Sequence, residues 1–233
     1  MDLAQLREDV CYANRMLPAL GLVTMHSGNV SGYDPTSGRL VIKPSGIDYD
    51  ALTPDKLVEV NLASGEIVSG TLRPSVDLPH HRFLYQNIPG LGGIVHTHSN
   101  FATAFAAVHG AIPLCLTAIA DEFGGEIPCA PYVDNQGDHI GQAILEYRTE
   151  APAILLGNHG VFAWGPTPRA ALKAAAMTED VAKTVHLAIQ LGPLCMIAPE
   201  EAAKWYTRYH TTYGQAANGR TADPVPNTRK EAA

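Results

Sequence analysis

The segment GGIVHTHS, residues 92–99, sets two histidines two positions apart at the end of a short apolar run, and few local structures make sense of that spacing. In a strand, positions i and i+2 project from one face, whereas in a helix they diverge by about 200°. Gly93, Ile94 and Val95 read as the interior of a strand, so His96 and His98 are expected side by side at its end. Two neutral imidazoles gain little from packing on each other, but together they form two arms of a metal site. Catalytic Zn2+ commonly takes three protein ligands and leaves one position open, so a third must come from elsewhere in the chain.

The flanking segments supply the surroundings of that strand. Leu3, Leu6, Val10, Leu17 and Leu20 follow helical spacing up to Gly21. RLVIKPSG (39–46) reads as a strand ending in a turn, and KLVEVNL (56–62) with GEIVSG (65–70) as a hairpin about Ala63 to Gly65. Asp77 to Asn87 reads as a helix with Pro79 in its first turn. Ser99 is placed to cap the alanine-rich helix NFATAFAAVHG, and AILLGNHGVFAWG (153–165) reads as strand, turn, strand. Two more helical patterns follow, PRAALKAAAMTEDVAKTVHLAIQL (168–191) and PEEAAKWYTRYHTTYG (199–214). Helices interspersed with short strands imply an α/β fold with a central mixed sheet covered by helices.

Of the ten histidines, His159 is the choice for the third ligand, because it sits at the tip of a turn between Gly157 and Gly160, where a side chain can project from a sheet edge. His80 and His81 fall on a helix, as does His186, while His26, His109 and His139 lie near loops; these read as surface residues or neighbours of the ligands.

With 233 residues and 46% hydrophobic content, the chain can bury the core of one domain, placed at residues 1–215. The stretch 216–233 lacks aromatic residues and apolar periodicity and is expected to be a disordered tail. A formal net charge of -7 argues against nucleic-acid or anionic-membrane partners and suits a small soluble substrate. The four cysteines are scattered without a CxxC pair and read as buried thiols of a reducing compartment. No run of about 18 apolar residues is present, so the expected location is cytoplasmic.

The chain resembles the class II aldolase/adducin family through SGNVSG (27–32), IKPSGIDY (42–49), RPSVDLPHHRFLYQ (73–86), GGIVHTHS (92–99), NHGVFAWG (158–165) and YGQ (213–215), in family order. Within the family it looks most like the L-ribulose-5-phosphate 4-epimerases. The resemblance implies a three-layer αβα sandwich with a mixed, mostly antiparallel sheet, and a homotetramer with active sites shared between adjacent subunits. It implies a divalent metal, usually Zn2+ with Mn2+ or Co2+ as alternatives, on His96, His98 and His159, with Asp77 as the acidic residue beside it. Phosphate-binding positions carry over to Gly28, Asn29, Ser45, Gly46 and Ser75. Glycine lets backbone N–H groups approach an anion, and Asn and Ser add short donors. Lys43 could add a positive charge there or solvate a strand end.

The implied reaction cleaves the C3–C4 bond of L-ribulose 5-phosphate to an enediolate and glycolaldehyde phosphate, which rotates before the bond re-forms. Asp121 and Tyr213 match the two proton-transfer groups, Tyr213 coming from a neighbouring subunit; adjacent Glu122 should face elsewhere. The alternative is a sugar-phosphate aldolase that releases its products, of the L-fuculose 1-phosphate type, and a remote one is a non-enzymatic adducin-like scaffold. Val76 stands where the family has a second serine, and Trp205 near a position often held by histidine.

Overall fold

The computed structural model describes residues 3–214, so the tail expected from residue 216 lies outside the described residues. Strands β1 (Asn29–Asp34), β2 (Arg39–Ile42), β3 (Val58–Asn61), β4 (Ile67–Ser69), β5 (Gly93–Thr97), β6 (Cys129–Ala130), β7 (Ala153–Leu156) and β8 (Gly160–Gly165) form one sheet in the order β4-β3-β2-β1-β5-β8-β7-β6. Neighbours are antiparallel except β6 with β7, which are parallel.

The period of two sorts side chains into two layers. Val95, Leu155, Val161 and Ala163 face α1 (Leu3–Ala19), α3 (Asn100–Ala107), α4 (Thr117–Phe123), α6 (Pro168–Leu191) and α7 (Pro199–Thr211). Ile94, Ile154, Leu156, Phe162 and Trp164 face α2 (Leu78–Asn87) and α5 (His139–Tyr147). The result is the expected αβα sandwich. Both faces of β5 are covered, and Ile94 and Val95 are fully buried, each contributing about 1.5–3 kcal/mol by leaving water.

Three expectations need correction. Ser99 occupies the N-cap of α3, but its side chain makes no capping bond; Glu179 of α6 instead accepts from the N–H groups of Phe101 and Ala102, both at 2.9 Å. A carboxylate there also meets the positive end of the helix, which a hydroxyl does less well. Cys195 is exposed rather than buried, and Cys115 and Cys129 are partly so, though all are free thiols as expected. Helices α4 and α5 were not expected from periodicity, each being too short to show a clear repeat. Among the described residues no helix is long and apolar enough to cross a membrane.

Candidate metal centre and anion pocket

β5 lies in the middle of the sheet, and its end carries the histidine pair. His96 is in register with Asn29 of β1 and Phe162 of β8, and its ring stacks on Phe162 with centroids 4.5 Å apart. Its Nδ1–H donates to the Val161 carbonyl at 2.9 Å, which fixes the tautomer and leaves the Nε2 lone pair free. Burial holds this imidazole well below its ordinary pKa and therefore neutral. His98 lies one residue past the strand, and His159 in the turn between β7 and β8. The ring centroids are 4.7 Å (His96–His98), 4.9 Å (His96–His159) and 5.2 Å (His98–His159) apart. One donor atom from each lies within 4.8 Å of the others. Burial lowers the pKa of His98 and His159 too.

Neutral, convergent imidazoles fit a divalent cation of borderline softness. Packing beneath them supports the fit, because a Cβ on Gly160 would stand 2.5 Å from the Thr97 carbonyl and 2.7 Å from Cδ2 of His98.

Asp77 sits at the N-cap of α2, yet its carboxylate does not cap the helix. Its Oδ2 accepts instead from Nδ2 of Asn29 at 2.6 Å, and the Ser75 hydroxyl lies 3.1 Å from that same amide nitrogen. Burial pushes this carboxyl up, but His96, His81 and the Asn29 amide outweigh it and hold Asp77 below the usual range. Asp77 stands beside the convergent set, which holds the three histidines without it.

These groups open on a pocket of about 200 Å³ that is also lined by Gly28, Asn29, Lys43, Ser45, Gly46 and Ser75. Gly28 has φ +79° and faces the His96 carbonyl, a position closed to any side chain because a Cβ would lie 2.7 Å from that oxygen. The two outer loops are laced together by Ser45 N–H to Arg73 C=O at 2.9 Å and Ser75 N–H to Lys43 C=O at 3.0 Å. Those two N–H groups are therefore engaged within the protein. Lys43 does not solvate a strand end: its side chain is buried, with Nζ 3.4 Å from the Pro44 carbonyl and 4.8 Å from the Tyr49 ring centroid. Burial lowers its pKa more than the more distant Asp48 raises it, and no carboxylate among the described residues forms an ion pair with it. A buried cation without a close counter-ion favours an anion in the pocket.

Asp121 on α4 is half-buried, and Tyr213, just past α7, is 64% exposed and stacked on Tyr209 with centroids 5.0 Å apart. Neither lines this pocket. Glu122 is buried and pairs with Lys173 at 2.6 Å. Sequence reasoning missed Asn135 as a lining residue, and it missed the burial of His80 and His81. His80 Nε2 lies 2.8 Å from Asn135 Oδ1; His81 Nδ1 lies 2.7 Å from the Ser31 hydroxyl, which bonds Tyr85 at 2.9 Å. Their signal was positional, since they follow Asp77 by three and four residues on one helix face.

A family model for the class II aldolase and adducin N-terminal domain matches residues 8–186. The chain belongs to the class II aldolase/adducin family. Its fold is similar to that of an L-fuculose 1-phosphate aldolase, with a TM-score of 0.80 at 23% identity, covering 88% of this chain and 96% of that one. YgbL from Klebsiella pneumoniae, a candidate aldolase/epimerase/decarboxylase, aligns with a TM-score of 0.74 at 30% identity over 88% of this chain and 99% of that one. The L-fuculose-1-phosphate aldolase from Thermus thermophilus gives 0.65 at 27% identity, covering 80% and 95%. Class II aldolases use a divalent metal and act on sugar phosphates, and in this chain the three-histidine set could hold that metal.

Proposed function

We propose that this protein catalyses reversible, metal-dependent aldol cleavage of a small sugar phosphate. The observation that carries this reading is that one pocket of about 200 Å³ joins three neutral histidines, a buried carboxylate and a buried lysine without a carboxylate partner. His96, His98 and His159 would hold the cation, with Zn2+ as the proposed ion because three imidazoles suit it. When bound, a divalent cation supplies Lewis acidity that stabilises negative charge on substrate oxygens as the C–C bond breaks.

The chain's own residues do the rest. Lys43, with Gly28, Asn29, Ser45, Gly46 and Ser75, grips the phosphate and fixes how far the sugar reaches toward the histidines. Asp77 has Oδ2 engaged by Asn29, which leaves Oδ1 to take and return a proton. Asp121 and Tyr213 serve the aldehyde fragment from its two faces. Neither lines the pocket within one chain, which supports a homotetramer with sites shared between subunits, Tyr213 being supplied by a neighbouring subunit.

The leading form is 4-epimerisation of L-ribulose 5-phosphate to D-xylulose 5-phosphate, in which the cleaved fragment stays bound; the family blocks that look most like the 4-epimerases support it, as does Asp77, since aldolases of the L-fuculose 1-phosphate type tend to place the longer glutamate there. The second reading is an aldolase that releases its fragment, favoured by the structural likeness to L-fuculose-1-phosphate aldolases. Metal-loaded protein incubated with L-ribulose 5-phosphate and with L-fuculose 1-phosphate separates them. Epimer without free aldehyde supports the first and free aldehyde the second; turnover of neither would overturn both. Elemental analysis should show about one divalent ion per chain, lost in His98→Ala.

A further inference from the structure

His96 is steadied by the Val161 carbonyl, but among the described residues neither His98 nor His159 has a hydrogen bond to its ring. What places His159 is therefore the backbone of its turn. That turn is docked onto the end of α3. Asn158 N–H donates to the Ala106 carbonyl at 3.0 Å, Asn158 Nδ2 lies 3.5 Å from the Ala107 carbonyl, and His109 Nε2 lies 2.5 Å from Asn158 Oδ1. A carbonyl can only accept, so the amide nitrogen faces Ala107, Oδ1 faces His109, and His109 Nε2–H donates. Both residues adopt left-handed backbone, with φ +58° at Asn158 and +55° at His109, a conformation uncommon outside glycine. The clasp lies at the surface, with both side chains exposed, but its inner side is tight: a Cβ on Gly157 would stand 3.0 Å from Cε1 of His109. α3 starts at Asn100, two residues after His98, so the helix that leaves one ligand ends in the clasp that seats another.

We propose that His109 and Asn158 are positioning residues for the metal ligand His159, holding its turn at the distance from His98 that the ion requires. The inference rests on the three-histidine metal reading above. Ligand distances must hold to within about 0.2 Å, and groups bonded directly to a ligand change metal affinity by about 10–100-fold, so a clasp that acts through the backbone of the ligand's turn should fall at the lower end of that range.

The test is a Zn2+ titration of metal-free full-length protein against a chromogenic chelator. Asn158→Gly keeps the left-handed backbone accessible and removes only the clasping side chain; its Zn2+ affinity should fall about 10-fold. His109→Gln keeps an N–H donor of similar reach and should stay within a few-fold of wild type, whereas His109→Asn, too short to reach, should weaken binding as Asn158→Gly does. This graded pair reads the hydrogen bond rather than general loss of fold, and it carries the test if Asn158→Gly is poorly folded. Wild-type affinity in His109→Asn, with His98→Ala unable to bind, would overturn the positioning role alone. Equal affinity in wild type and His98→Ala would overturn the metal reading, and this inference with it.

Discussion

Gly160→Ala should disable the metal centre without replacing a ligand. Gly160 opens β8 in register with Leu156, and its α-carbon faces the end of β5. An added methyl would lie 2.5 Å from the Thr97 carbonyl, where real Cβ atoms stay beyond 3.0 Å, so that backbone must retreat by 0.5 Å or more. His98 follows directly, and its Cδ2 would itself be only 2.7 Å away. Since metal–ligand distances tolerate about 0.2 Å, the shift is large enough to break the ligand geometry. Overpacking of this kind costs about 1–3 kcal/mol, which for a chain of this size lowers Tm by about 2–12 °C. Zn2+ at about 100 times its Kd adds about 2.7 kcal/mol to the wild type, an upward shift of about 5–11 °C. Scanning calorimetry with chelator and then with Zn2+ should show both the lower metal-free Tm and loss of the Zn2+ shift in Gly160→Ala. Gly125→Ala, where an added Cβ meets nothing within 4 Å, is the control and should behave as wild type. A Gly160→Ala protein with the wild-type Tm and the full Zn2+ shift would refute the close-approach reasoning.

The remaining expectations concern pH and the phosphate grip. Burial pushes His81 down to about 4 and lowers His96, His98 and His159, so the unfolded chain takes up protons below about pH 6.5 that the folded chain refuses. The metal-free protein should therefore lose stability as pH falls from about 6.5 toward 4, by up to about 1.4 kcal/mol per pH unit for each of the fully buried His81 and His96, with the more exposed His98 and His159 adding less; Asp77, with its lowered pKa, adds its loss only below about 3.9. Urea midpoints that stay flat between pH 7 and 5 would contradict this. Lys43→Met should raise KM for a phosphorylated sugar by about 10–150-fold while leaving Tm unchanged or higher, because it removes a buried charge that has no carboxylate partner. Steady-state kinetics with an unchanged KM would place the phosphate elsewhere. Val76 lines the pocket and is 70% exposed, so Val76→Ser adds a donor at little cost in burial and should lower that KM by about 5-fold. A KM that stays the same or rises would exclude this position from the grip.

Much of the centre was legible because its signals are local. A period of two put His96 and His98 together, and two glycines around a two-residue tip marked His159. The hairpin about Ala63 to Gly65 joins β3 to β4, and the helices at 3–19, 168–191 and 199–211 follow their apolar spacing. Where residue types matched two physical roles, the chain alone could not choose. Lys43 was such a case, since a lysine at a strand end reads the same whether water or a pocket wall receives it.

Sequence by itself thus determined an α/β fold with a central sheet covered by helices, the two-histidine prong and the turn that answers it, because periodicity and turn chemistry act over a few residues; the three-layer order came from the family resemblance. Only tertiary structure decided what lies between those pieces. It turned the Asp77 carboxylate from its helix toward Asn29, 48 residues away in sequence. It buried His80 and His81 by laying α2 on the face of the sheet that carries His96 and Phe162, and it seated the His159 turn on α3 through Asn158 and His109. Burial and hydrogen-bond partners depend on which distant surfaces meet, and no window of neighbouring residues records that meeting.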